Sequence, residues 1–160
     1  MTKQYIGILI DSLQKKDKVL SQIIQINRKQ TDIIKTEPLD EDAFDREAEE
    51  KDGLISELDE LDEGFDRVFH YVEKELSTDE GRKPYATEIL QMKALISAIT
   101  EKSVTIQAGE ARNKKALEDF FKTERDRIKT GRVGSKTALN YYNNMKNRNH
   151  VPPHFLDSKN

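Results

Sequence analysis

Three histidines, His70, His150 and His154, are the residues whose ordinary pKa suits them to acid–base or metal chemistry near neutral pH. His150 and His154 stand four apart, a spacing that on a helix would offer two imidazoles to one metal ion. Pro152 and Pro153 lie between them and forbid that helix. His70 follows Phe69 within a helical pattern and reads as a boundary residue. The stretch DEDAFDREAEEKD has the acid density of a calcium loop. It lacks the turn glycine such a loop needs, and Phe44 stands where a ligand oxygen would be required. GRVGS, residues 131–135, has two glycines but neither a preceding strand nor a phosphate-binding lysine in register. Carboxylate pairs are plentiful, yet nothing marks a pocket that would raise one pKa. No Ser–His–Asp or Cys–His arrangement stands out. The sequence argues against an enzyme and requires no cofactor or metal.

The elements that would position any other activity follow from composition. The 160 residues are 35% hydrophobic and 36% charged, which suits helices sharing a narrow seam with most positions in water. There is no cysteine, so neither disulfides nor thiolate metal sites exist, and a reducing cytoplasm is the expected compartment. No apolar run approaches the roughly 20 residues of a membrane span. The opening MTKQYIGILIDSLQKKDK lacks the basic region and cleavage site of a secretory signal. The net charge of −3 hides an asymmetry: residues 37–80 carry 19 acidic and 4 basic groups, residues 122–160 only 3 acidic and 9 basic. The acidic block reads as a solvated helix face, and the basic tail could be steered toward it. KTERDRIKTGR and YYNNMKNRNH mix cations with rings as nucleic-acid binders do, but the acidic body would repel phosphate. Nucleic acid is not an expected partner.

Pro38 and the Gly81–Pro84 pair punctuate the chain. Between them apolar residues recur at seven-residue intervals. The first segment carries Ile6, Leu13, Leu20, Asn27 and Ile34, with Leu9/Ile10 and Ile23/Ile24 at the alternate step. The second carries Phe44, Lys51, Leu58, Phe65 and Val72 beside Ala48, Ile55, Asp62, Phe69 and Leu76. The third carries Ile89, Ile96, Ser103, Glu110 and Leu117 beside Met92, Ile99, Ile106, Asn113 and Phe120. Such repeats predict helices packed along one another, near 4–35, 41–76 and 85–129. The third would be roughly 65 Å long at about 1.5 Å per residue. Asp40 or Asp42 can cap the second. The expected fold is all-α: an elongated antiparallel bundle of three long helices over residues 1–130. Residues 131–160 would add a short C-terminal amphipathic helix and an irregular, Pro-containing tail.

Antiparallel pairing sharpens this into a register. If Ile34 sits level with Phe44, Asn27 sits level with Lys51. If Leu76 sits level with Glu88 or Ile89, Lys51 faces Glu110–Asn113. The polar intrusions of all three seams would then share a layer beside Gly109, and Asp62 would meet Lys102 and Ser103. The alternative, in which each polar residue points out of a loose seam, stays open.

The run F-x-x-x-x-E-E-K-D-x-L-I-x-x-L-x-x-L-D-x-G-F from Phe44 to Phe65 is followed by I-x-x-M-K-x-L-I-x-x-I-T and I-Q-x-x-E-x-x-N-K. With the terminal YYNNM…FLDSKN, this succession resembles the flagellar export chaperones of the FliT and FlgN type. The resemblance implies a cytoplasmic chaperone that holds a flagellar cap or hook-associated protein in an apolar groove between helices before type III export. Export-apparatus components would be further partners, and the protein would be a monomer or homodimer. It places the gating role on Tyr141, Tyr142 and Met145 of the tail. The stretch VPPHFLDSKN departs from the family, with Phe155 and Leu156 as a candidate second anchor, and Leu117, Phe120 and Phe121 of the third helix are further candidate protein-binding residues. In FliT-type proteins the last helix can gate the groove, which would explain why so hydrophilic a chain ends in apolar residues. A fourth bundle helix and a disordered segment are the other readings of the tail. A coiled-coil scaffold or adaptor without an export role is the alternative function.

Overall fold

The computed structural model describes residues 1–128, and over that range the protein is all-helical. Helix α1 spans Thr2–Lys35 and α2 spans Glu41–Leu76. A short turn α3, Asp79–Arg82, and a 3-10 turn, Lys83–Tyr85, lead into α4, Ala86–Ile128. The ends of α1 and α2 and the start of α4 lie within two residues of those the periodicity predicts, and α4 continues to the last described residue. The short C-terminal helix and tail expected beyond residue 130 lie outside the described residues.

Local chemistry explains each boundary. At the end of α1, the Thr36 hydroxyl donates to the Asp32 carbonyl at 2.9 Å, and Pro38 follows where continued helix would need an N–H. Asp40, one of the two expected caps, accepts from the Ala43 N–H at 3.0 Å and satisfies an orphan donor of α2. Glu41 and Asp42 add negative charge to the positive end of that helix. The short link to α4 is itself wound into turns. Thr78 caps α3 by accepting from Gly81 N at 3.0 Å, while Arg82 donates to the Leu76 carbonyl at 2.8 Å and pairs with Asp79. Gly81 is obligatory there: a Cβ would stand 1.7 Å from the Glu75 carbonyl oxygen.

The contacts divide the described chain into two compact units, and each long helix contributes a segment to both. The first contains residues 1–20 and 56–103. Its apolar seam includes Ile6, Leu9 and Leu13 from α1, Leu58 and Val72 from α2, and Met92, Ile96 and Ile99 from α4, all at most 2% exposed. Thr2 bonds to Glu75, Ser12 to the Leu61 carbonyl and Lys16 to Asp62, so α1 and α2 run antiparallel in this unit. The second contains residues 21–55 and 104–128. Leu39, Phe44, Leu117 and Phe121 form a buried cluster against Ile33, Ile34 and Phe120 at one place in it. Each such large side chain taken from water contributes roughly 1.5–3 kcal/mol, which offsets the ordering of long, mostly polar helices.

Candidate functional site

The second unit holds the most polar part of the core. The Lys51 side chain is fully buried, and Asn27, Gln30 and Asn113 are at most 6% exposed. Seven-residue spacing brings Asn27 onto the buried face of α1 and Lys51 onto that of α2. An ammonium has three N–H donors. Those of Lys51 reach Asn27 Oδ1 at 2.7 Å, Gln30 Oε1 at 2.6 Å and Glu110 Oε1 at 2.5 Å. Asn113 Nδ2 donates to the Asn27 carbonyl at 3.0 Å, and the Thr31 hydroxyl lies 2.7 Å from Asn113 Oδ1. Gly109 stands beside Asn27, as the register argument expects. Burial pulls the Lys51 pKa below the ordinary lysine value, and the Glu110 carboxylate beside it offsets part of that pull.

The second polar level departs from expectation. In the first unit Asp62 takes a 2.6 Å bond from Lys16, a lysine with only 2% of its side chain exposed. Lys102 donates to Asp17 at 2.8 Å, and Ser103 donates to the Ile99 carbonyl within its own helix. Counting levels along the helices pairs Asp62 with Lys102, whereas the bonds join Asp62 to Lys16 and Lys102 to Asp17. A clue to Lys16 and Gln30 was present: Leu9, Lys16, Ile23 and Gln30 form one seven-residue row, and all four are buried.

Of the proposed protein-binding residues, Leu117 and Phe121 are buried in the core cluster and Phe120 packs half-buried against it. The rings of Phe120 and Phe121 meet edge to face with centroids 5.5 Å apart. Tyr141, Tyr142, Met145, Phe155 and Leu156 lie outside the described residues, as do His150 and His154. His70 is exposed beside Tyr71, and its Nδ1 is 3.9 Å from Glu73.

The open apolar surface is elsewhere. In the first unit Tyr71 is 69% and Ile8 51% exposed. Tyr71 stacks on Tyr5 with centroids 5.2 Å apart and planes 13° from parallel. Ile8 lies three residues beyond Tyr5, on the same side of α1. Leu90 and Val104 of α4 are also mostly exposed. The sequence signal for this patch is an apolar residue out of step with its row: Tyr71 precedes Val72, and Ile8 falls between Ile6 and Leu9.

Among the described residues, no group of three or more His, Cys, Asp or Glu side chains is placed to hold a metal ion, and no helix is long and apolar enough to cross a membrane. No protein-family model, curated protein or solved structure matches the chain.

Proposed function

We propose that this protein is an export chaperone of the FliT/FlgN kind, sheltering the amphipathic helical end of a flagellar cap or hook-associated protein. The assignment to export rests on the resemblance of residues 44–65, 89–100 and 106–114. The observation that carries the binding reading is the open apolar face of Tyr5, Ile8 and Tyr71 on helices whose seams are otherwise covered. A client helix would lay its apolar stripe there, with anchors at three- and four-residue spacing. The acidic excess of residues 37–80 favours a client with cationic flanks. The basic C-terminal segment, with Tyr141, Tyr142 and Met145, would gate the same face.

The scaffold reading is favoured by the seven-residue rows alone. Ile6, Leu9, Leu13, Ile55, Leu58 and Val72 are at most 2% exposed, so those rows are covered within the chain itself. That coverage supports a monomeric binder over an open coiled-coil strand.

Calorimetry with C-terminal helical segments of cap and hook-associated proteins tests the proposal, using the full chain and a version ending at Arg132. Tighter binding by the shorter form identifies the tail as a competing lid, and lost binding identifies it as the anchor. If neither form binds any segment, the chaperone reading fails. Stable self-association in sedimentation would then put the scaffold first.

A further inference from the structure

Beside the polar layer of the second unit lies a small cleft lined by Ile24, Asn27, Arg28, Thr31, Thr105, Gly109 and Arg112. Its volume of about 60 Å³ is far below the roughly 300–1,000 Å³ that encloses a cofactor or drug-sized ligand. It suits a few waters or one small polyatomic group. Within the cleft one donor stands out. Asn27 is 6% exposed, and its Nδ2 atom is buried without a hydrogen-bond partner. The amide cannot be turned over to correct this, because Oδ1 is the acceptor for the Lys51 ammonium. Leaving such a donor unmet costs about 1–3 kcal/mol.

The absence of a side chain at Gly109 leaves room beside that buried donor. A Cβ built on Gly109 would lie 3.3 Å from Asn27 Nδ2 and 3.9 Å from Arg112 Nη2, so both donors border the same small volume. Arg28 is also among the lining residues, and no carboxylate is. Neither Arg28 nor Arg112 has an ion pair with a described residue. Glycine within a helix costs about 1 kcal/mol relative to alanine, so its presence in the middle of α4 needs a local reason. The space kept beside Nδ2 supplies one.

We infer that this cleft binds a small oxyanion, a carboxylate or phosphate group, through the Asn27 Nδ2–H and the guanidinium groups of Arg112 and Arg28. An amide N–H aimed at an oxygen, with planar cations beside it, is the donor set such a group requires. This inference does not depend on the chaperone reading.

The test is a titration of the full-length protein with sodium phosphate and, separately, sodium acetate, against sodium chloride at matched ionic strength. The Asn27 side-chain amide signal is followed by NMR and the thermal midpoint by circular dichroism. The expected result is a saturable shift of the Asn27 amide and a midpoint that rises with one or both oxyanions but not with chloride. A response to acetate alone assigns the site to carboxylates, and a response to phosphate alone assigns it to phosphate groups. Gly109→Ala keeps every charge and favours the helix, yet places a methyl against Nδ2. It should weaken binding by about tenfold or more, as the loss of a hydrogen bond to a charged group implies. Arg112→Gln should do the same. Equal responses to all three salts would overturn the inference and leave the cleft to water. So would oxyanion binding that survives Gly109→Ala with the Asn27 signal unmoved.

Discussion

Lys51 shows how one residue can be both a liability and an organiser. Its ammonium is buried, at a desolvation cost that three hydrogen bonds and one carboxylate must offset. Lys51→Met would leave the facing Asn27, Gln30 and Glu110 oxygens without that donor. We expect it to lower unfolding stability by roughly 3–5 kcal/mol in denaturant melts, as removal of one partner of a buried pair does. Adding Glu110→Gln removes the uncompensated charge and should restore part of the loss, which a double-mutant cycle measures. The pH dependence has a definite sign. Below its lowered native pKa, Lys51 is charged in both states and the burial cost is felt in full. Between that value and the ordinary 10.5, only the unfolded chain keeps the proton, so this group makes stability rise with pH. The wild-type advantage over Lys51→Met should therefore widen from pH 7 toward pH 10. A constant or narrowing gap would show that the ammonium is not held in a desolvated state.

At the scale of the element, the start of α2 combines a favourable cap with unfavourable crowding. Asp40 meets the Ala43 N–H, and Asp40→Ala should cost about 1 kcal/mol, with Asp40→Asn nearly neutral. Asp45 lies one turn further on. Partial burial raises its carboxyl pKa above the usual 3.8, and repulsion from Glu41, Asp42 and Glu49 adds to the effect. The folded protein thus holds that proton at pH values where the unfolded chain has lost it. Asp45→Asn should raise the thermal midpoint at pH 7, by an amount that shrinks as pH falls through the raised value and vanishes below the ordinary one. A midpoint difference independent of pH would mean that the substitution acts through helix propensity instead. Both effects are exposed enough that salt should diminish the electrostatic one and leave the cap intact.

Across the whole molecule, the separation of covered from open apolar surface bears on function. Seam residues are sequestered within each unit, while Tyr71 and Ile8 stay in water. If that face holds a client, Tyr71→Ser should weaken binding of the client segment by about tenfold or more, as truncation of an aromatic anchor does. Its denaturation midpoint should change little, because the side chain is 69% exposed in the free protein. Unchanged affinity would move the binding face elsewhere, with Leu90 of the same unit next to be substituted. The acidic block and the basic tail act at this scale too. Client association should slow as salt is raised, because attraction between the acidic block and a client with cationic flanks is screened beyond about 10 Å at 0.1 M.

Helix number, the ends of α2 and the level at which Asn27, Lys51, Glu110 and Asn113 meet were all legible in the sequence. Each follows from a local rule: proline stops a helix, aspartate caps one, and a seven-residue repeat keeps one face inward. The paired counts along antiparallel helices then fix level without any knowledge of side-chain conformation. The tertiary structure decided what those rules leave degenerate. Level alone points Asp62 at Lys102, but the side chains join Asp62 to Lys16 and Lys102 to Asp17, because level does not say which way a side chain leans. Nor can it say that Asn27 turns its oxygen to Lys51 and its nitrogen to the space beside Gly109, since that depends on which acceptors the ammonium finds across three helices at once. The open position of Tyr71 belongs to the same class. Rows on a helix tell which side faces inward, but only packing tells how far the neighbouring helices reach around it.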